Sequence, residues 1–253
     1  MNIYTYGTDK RLDFCRSYLL KAGLNDFANI TILPIPSTKD EKTVNGTEVS
    51  LSEIVEKTQV SDLVVGYALP KSFRSALVSR GAFVVDVSRD EGFLLDNAYL
   101  TAVGTLGRIL SEEASAPSDL SIGVIGYGRI GERLVSELLF LSAAVTVFTS
   151  KTELSRELCM LGVSGVPYSS LADTETQKKL AGLDILINTA PSVLIPSEAV
   201  CYLSGVRVIE LASGNNFPEG LYYERFSSVP AKMYPRSAGR ALADSVMRML
   251  GEG

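Results

Sequence analysis

A glycine-rich turn between a strand and a helix constrains the fold of this chain more than any other feature. Residues 120–125 have the apolar character of a buried strand, and the sequence Gly-Tyr-Gly-Arg-Ile-Gly follows directly at positions 126–131. A helical run from 132 to 141 and a second apolar strand from 144 to 149 come next. A GxGxxG sequence in this setting is typical of a Rossmann dinucleotide-binding domain.

Each glycine of this turn has its own physical task. The first permits a tight turn, the second lets the backbone approach a pyrophosphate, and the third lets helix and strand pack closely. Backbone N–H groups at the start of the helix then face the phosphates. The predicted cofactor-binding residues of the turn are Gly126, Gly128, Arg129, Ile130 and Gly131. The alternative is a packing turn in a Rossmann-like domain that binds nothing.

The end of the next strand bears on the choice of cofactor. An NAD-specific site normally places Asp or Glu there to bind the ribose 2′-hydroxyl, but this chain has Thr149, Ser150 and Lys151, and Glu153 is the nearest acid. Two hydroxyls and a lysine are suited to a 2′-phosphate. We therefore predict NADP(H), with NAD(H) as the alternative; Lys151 alone is also compatible with a solvated loop.

Two later strands end in small polar loops. In open α/β sheets, ligands bind beyond the carboxyl ends of the strands, so these loops are expected to line the cofactor between its adenosine and nicotinamide ends. The alternatives are a proline-containing strand exit and a plain surface turn. The predicted cofactor-binding residues of the two loops are Asn188, Thr189, Ala190, Pro191, Ala212 and Ser213.

Strand-like and helical patterns also alternate through the first half of the chain, which favours parallel strands covered by helices. We predict an α/β protein with two doubly wound parallel-sheet domains, the C-terminal one a Rossmann fold, and with the last helix packing back toward the first domain. The predicted divisions are a flavodoxin-like substrate domain at 1–96, a linking helix at 97–117, the Rossmann domain at 118–233 and a C-terminal helix at 234–253.

Composition excludes several classes of function. The chain has no histidine, which removes Ser-His-Asp and Cys-His nucleophile systems and HExxH zinc sites. Its three cysteines are far apart, so we expect small buried side chains, no disulfide and no metal site. The net charge of −5 argues against nucleic-acid binding. No apolar stretch is long enough to cross a bilayer and no signal-peptide pattern is present, so a cytoplasmic protein is expected.

In these motifs the sequence resembles the family of the dipicolinate synthase A chain, which is related to the 2-hydroxyacid dehydrogenases. The resemblance is clearest from about residue 96 to the end. It includes the glycine turn, Asp-Ile-x-Ile-Asn-Thr-x-Pro-Ser at 184–192, Glu-Leu-Ala-Ser at 210–213 and Pro-Arg-Ser-Ala-Gly at 235–239. Weaker matches are Gly-Thr-Asp-Lys-Arg at 7–11 and Leu-Pro at 69–70.

This resemblance implies oxidation of dihydrodipicolinate to dipicolinate with a nicotinamide cofactor, as in sporulating bacteria. It also implies a small dicarboxylate substrate, a homodimer by analogy, and a flavoprotein-like second synthase subunit. Carboxylates are bound by arginine forks, helix N-termini and hydroxyls. The candidate catalytic residues are therefore Arg236, Ser237 and Thr105. Ordinary alternatives are a helix-end ion pair for Arg236 and an N-cap for Ser237.

The chain departs from the family pattern on the linking helix. The family usually has Pro-Thr-x-Glu-Gly-Thr, but Leu100 and Val103 replace the proline and the glutamate here. The Ala-Ser run at 212–213 also continues as Gly-Asn-Asn at 214–216, where the family tends to have Arg-Pro-Gly-Gly. Two alternatives follow: a nucleotide-binding homologue with lost or altered catalysis that serves as a sensor or in assembly, and a reductase of a different small acid.

Overall fold

The computed structural model describes residues 2–24 and 26–251, which form two compact units. The first unit comprises Met1–Leu100 and Pro230–Gly253, and the second comprises Thr101–Val229. The chain thus changes units four residues after the predicted end of the first domain and returns four residues before the predicted end of the Rossmann domain. The C-terminal helix is part of the first unit rather than a separate segment.

The strands are all short and all parallel to their neighbours. They are β1 (Asn2–Thr5), β2 (Asn29–Ile32), β3 (Leu63–Gly66), β4 (Phe83–Asp86), β5 (Ser121–Ile125), β6 (Ala144–Thr149), β7 (Ser164–Pro167), β8 (Ile185–Asn188), β9 (Arg207–Glu210) and β10 (Glu224–Arg225). The first four form one sheet and the other six form a second.

The α-helices alternate with the strands as far as β8, and β9 and β10 then follow without an intervening α-helix. They are α1 (Lys10–Ala22), α2 (Leu51–Lys57), α3 (Lys71–Ser79), α4 (Glu91–Glu112), α5 (Arg129–Phe140), α6 (Ser155–Met160), α7 (Thr174–Ala181), α8 (Val229–Met233) and α9 (Pro235–Gly251). No helix in the described parts of the chain is both long and apolar enough to cross a membrane.

Local capping sets the ends of the helices. Asp9 caps α1 by accepting from the N–H of Arg11, and Gly23 ends it with a φ of 70°, a left-handed conformation that glycine adopts without cost. The linking helix α4 begins six residues before the predicted start at 97. The reason is that the Asp90 carboxylate accepts from the N–H groups of Gly92 and Phe93 at 3.2 Å each, which caps the helix there.

The sheet of the first unit runs in chain order, β1-β2-β3-β4. A core that joins α1 and α9 covers one face, and a core that joins α2 and α3 covers the other. The flavodoxin-like expectation is wrong for strand order, because that fold places the second strand outside the first, in the order 2-1-3-4-5. Here β2 pairs with β1 on one side and β3 on the other, so β1 is an edge strand.

The last helix packs within the first unit, as predicted. A Cβ added to Gly239 of α9 would lie 2.5 Å from the carbonyl oxygen of Arg11 and 2.9 Å from the backbone nitrogen of Cys15. Only a residue without a side chain lets α9 approach α1 this closely. Cys15 is buried as expected, but Cys159 and Cys201 are exposed, so the prediction of buried cysteines is wrong for those two.

The second unit has the strand order β10-β9-β8-β5-β6-β7. If these strands are numbered 1 to 6 in chain order and the sheet is read from the β7 edge, the order is 3-2-1-4-5-6, that of the Rossmann fold. One apolar core packs α5 and the second half of α4 against β5, β6 and β8, and another packs α7 against β8 and β9. Because all the strands are parallel, their carboxyl ends lie along one side of the sheet, which we call the carboxyl edge.

Candidate functional site

The predicted glycine turn (126–131) lies at the carboxyl edge, where the strand order of the second unit reverses. β5 is the strand at this switch, since it pairs with β6 on one side and with β8 on the other. Open α/β sheets bind their ligands at such a position.

The first and third glycines of the turn pack tightly. Gly126 has a φ of +96°, and its N–H donates to the Phe148 carbonyl oxygen at 2.8 Å. A Cβ on Gly126 would lie 2.6 Å from Thr189 Oγ1, and one on Gly131 only 2.1 Å from the Gly126 carbonyl oxygen. Both positions therefore require glycine, the first for the turn and the third for the contact between helix and turn.

The middle glycine is open instead of packed. Gly128 is exposed, and a Cβ added there would meet no atom within 4 Å. It caps α5, whose first internal bond runs from the Glu132 N–H to the Gly128 carbonyl oxygen at 2.8 Å. Arg129 is exposed at the helix start, and Ile130 packs against the core. First-turn N–H groups lack acceptors within their helix, so this end of α5 suits an anion.

Of the three residues predicted to hold a 2′-phosphate, two are exposed. Thr149 ends β6 with its side chain buried, and its Oγ1 accepts from the Lys151 N–H at 3.1 Å. Its hydroxyl therefore shapes the turn. Ser150 and Lys151 follow at the surface, where they can reach a ligand at the carboxyl edge.

The loop after β8 is fixed to the glycine turn. Thr189 donates from its backbone and from its hydroxyl to the Ile125 carbonyl oxygen, at 2.8 and 2.9 Å. The Asn188 side chain holds both polar groups of Ala190, accepting from its N–H and donating to its carbonyl oxygen at 3.0 Å each. Pro191 is exposed beyond them. Asn188, Thr189 and Ala190 therefore lie beside the turn.

A buried acid that sequence analysis did not single out lies under the next loop. Glu210 ends β9 with 0% of its surface exposed. Both of its carboxylate oxygens accept from Asn188 Nδ2, at 3.1 and 3.2 Å, and Oε1 also accepts from the Ala212 N–H at 2.8 Å. Burial raises the pKa of Glu210, and these bonds oppose the rise. The available signal was an acid at the end of an apolar strand, inside the Glu-Leu-Ala-Ser motif. Ser213 is exposed beyond Ala212.

The three candidate substrate residues fall in different units. Arg236 and Ser237 are exposed in the first turn of α9, in the first unit. Ser237 is the third residue of the helix and not its cap, because α9 begins at Pro235. Thr105 belongs to the second unit, is fully buried, and donates its hydroxyl to the Thr101 carbonyl oxygen at 2.8 Å. Their roles toward a substrate stay predictions.

Comparison with known proteins supports the fold through structure alone. No protein-family model matches this chain, and no curated protein matches its sequence. The structure is similar to the dipicolinate synthase A chain from Bacillus halodurans (TM-score 0.77, 19% identity) over 100% of this chain and 98% of that one. It is similar to the dipicolinate synthase A chain from Bacillus subtilis (TM-score 0.78, 17% identity) over 100% and 96%.

A more distant similarity extends to dehydrogenases. L-alanine dehydrogenase matches with a TM-score of 0.61 and 14% identity, over 99% of this chain and 89% of that one. The structural resemblance predicted from the motifs is thus confirmed. This protein has the fold of the dipicolinate synthase A chain and of dehydrogenases, with two parallel-sheet α/β domains.

Proposed function

We propose that this protein is an NADP(H)-dependent oxidoreductase that oxidises dihydrodipicolinate or a related small dicarboxylate. The observation that carries the proposal is the glycine turn at the switch point, where two glycines are tightly packed and Gly128 is left open toward the N-terminus of α5. That combination suits a pyrophosphate. The fold shared with the dipicolinate synthase A chain supports the substrate class.

The reaction makes modest demands on the protein. The bound nicotinamide would accept a hydride from a ring carbon of the dihydropyridine, and a proton lost from the ring completes its aromatisation. Because aromatisation favours this direction, the side chains have mainly to hold two carboxylates and orient the ring. Arg236 and Ser237 are proposed to bind a carboxylate at the start of α9. Thr105 is kept as a proposed catalytic residue on the resemblance alone, since its side chain is fully buried.

Replacing Arg236 with alanine is expected to raise the KM for the dicarboxylate about tenfold or more, because a hydrogen bond to a charged group contributes at least that much. The cofactor affinity should not change. Arg240→Ala is the matched control, since Arg240 lies one turn further along α9 and pairs with Asp244 at 3.6 Å. An unchanged KM in steady-state assays of Arg236→Ala would remove Arg236 from the substrate site.

Replacing Lys151 with alanine is expected to weaken NADPH binding about tenfold and to leave NADH binding unchanged. The reason is that an exposed lysine acts as a point charge on the 2′-phosphate, which NADH lacks. Lys178→Ala, an equal loss of charge at an exposed position of α7, is the control. Equal losses for the two nucleotides in parallel titrations would contradict the proposed preference for NADP(H).

A second candidate is a nucleotide-binding homologue with lost catalysis, which serves as a sensor or in assembly. Val103 favours it, because this half-buried side chain stands where the resembling family has glutamate.

We also propose, on the resemblance, a homodimer and a flavoprotein-like second subunit. The test of the oxidoreductase is NADPH formation from NADP+ and dihydrodipicolinate. Turnover supports the enzyme, whereas tight NADPH binding without turnover, with or without the second subunit, supports the homologue.

A further inference from the structure

We infer that Glu210 is a positioning residue for the dinucleotide: its carboxylate fixes the loop at 189–191, which lies beside the glycine turn, to the loop at 212–216, which follows the adjacent strand. The inference rests on the proposed nucleotide-binding role of the second unit. It goes beyond that role because it assigns the order of the site to a residue buried beneath the loops that would contact the ligand.

Glu210 joins two loops that follow adjacent strands. β8 and β9 pair in parallel with Asn188 opposite Glu210, so both side chains emerge at the same level of the carboxyl edge. The Glu210 carboxylate accepts from the Asn188 side chain on one side and from the Ala212 backbone on the other. Asn188 is also buried, with 1% of its surface exposed. The pair thus sits below the loops, shielded from solvent.

From Asn188 the connection continues to the glycine turn. Its Oδ1 accepts from the Ala190 N–H, and its Nδ2 donates to the Ala190 carbonyl oxygen. The Ala190 nitrogen in turn would lie 3.3 Å from a Cβ on Gly126. A shift of Asn188 would therefore move the backbone that contacts the turn. The loop at 212–216 has an internal hydrogen bond of its own, in which Asn216 Nδ2 donates to the Ser213 carbonyl oxygen at 2.9 Å.

The arrangement requires the ionised form of Glu210. The groups that face its oxygens from Asn188 and Ala212 are N–H donors, and a protonated acid or an amide would turn a hydrogen toward one of them. Asn216 and Arg225, the register partner of Glu210 on β10, both act to lower its pKa. Because burial raises the pKa of Glu210, protonation begins above the range of an exposed glutamate.

The direct test is Glu210→Gln, which keeps the shape of the side chain and removes its charge. By calorimetric titration with NADP+ at about pH 8, we expect this variant to bind about tenfold more weakly than the wild type, the worth of one charged hydrogen bond. Glu224→Gln is the matched control. Glu224 lies on the neighbouring β10 and pairs with Arg207 and Arg108, so its loss should affect stability and not affinity.

The pH dependence separates positioning from simple destabilisation. The wild-type advantage over Glu210→Gln should shrink as the pH falls, because the wild-type carboxylate is then protonated and the side chain at position 210 is neutral in both proteins. The 2′-phosphate of NADP+ titrates at about pH 6, but this titration affects both proteins equally. The chain has no histidine, the side chain that ordinarily titrates in this range. If the ratio of the NADP+ affinities of wild type and Glu210→Gln stayed constant with pH, the inference would be overturned.

Three outcomes distinguish this inference from the proposed function. Equal binding by wild type and Glu210→Gln at about pH 8 overturns the role of Glu210 and leaves the nucleotide site standing. Failure of the wild type to bind NADP+ or NAD+ overturns both. If Glu210→Gln does not fold, wild-type titrations with NAD+, which lacks the 2′-phosphate, decide the matter. Affinity that falls as the pH is lowered supports the role, and affinity independent of pH overturns it.

Discussion

Replacing Gly131 with alanine is expected to lower the free energy of unfolding by about 3 kcal/mol and to abolish dinucleotide binding. The added Cβ would lie 2.1 Å from the Gly126 carbonyl oxygen and 3.0 Å from its carbonyl carbon, far inside van der Waals contact. Since both are backbone atoms, no side-chain rotation relieves the clash, and α5 must move away from the turn. Overpacking of this kind costs about 1–3 kcal/mol or more.

Gly128→Ala is the matched comparison for Gly131→Ala. Its Cβ would meet nothing within 4 Å, so the free energy of unfolding measured in denaturant should stay within about 0.5 kcal/mol of the wild type. The same Cβ would occupy the space where a pyrophosphate approaches, so NADPH affinity should fall about tenfold or more. Wild-type stability of Gly131→Ala would contradict the tight packing, and wild-type affinity of Gly128→Ala would contradict the placement of the phosphates.

The second large effect is expected at Arg207, the centre of an ion-pair network in the second unit. Its guanidinium contacts Glu224 at 2.6 Å, Glu113 at 2.7 Å and also Glu112. Arg207→Ala would remove the ion pair of Glu113 with Arg207, while Arg108 would still pair with Glu112 and Glu224. With 21% of the Arg207 side chain exposed, the network is partly screened by solvent. We expect a loss of about 2 kcal/mol in the free energy of unfolding.

The pH dependence of the free energy of unfolding provides a second measurement of the network. The hydrogen bond from Arg207 holds the pKa of Glu112 below its usual value. The contribution of this group is therefore present above the pKa of an unfolded glutamate and is lost as the pH falls through the lower folded pKa. Arg207→Ala should weaken this loss. Arg240→Ala, which removes an exposed pair on α9, should change neither the stability nor its pH profile.

Denaturant unfolding at neutral and acidic pH checks both expectations for Arg207. A free energy of unfolding within about 0.5 kcal/mol of the wild type would mean that the network contributes little to stability, as many exposed ion pairs do.

Local features allowed much of this structure to be predicted from sequence. The glycine turn is specified by six consecutive residues between a strand and a helix, and the capping of α1 by Asp9 and Gly23 is also local. Alternating patterns located both parallel sheets, because a buried parallel strand is a short apolar run between helices. These features depend on residues that are close together in the chain.

Features that depend on distant residues were not predicted. The pair of Asn188 and Glu210 joins side chains that are 22 residues apart, and nothing in either segment alone indicates the partner. The pairing of β2 between β1 and β3 is likewise a choice among distant strands. The sequence likewise does not reveal that the Thr149 hydroxyl is buried and accepts from the Lys151 N–H.

The measurement that most directly tests the central claim is a fluorescence titration of the purified protein with NADPH and, separately, with NADH. The geometry of the glycine turn and the surface position of Lys151 predict micromolar binding of NADPH and much weaker binding of NADH. Binding of neither nucleotide would contradict the account and would leave the second unit a Rossmann fold with no dinucleotide site.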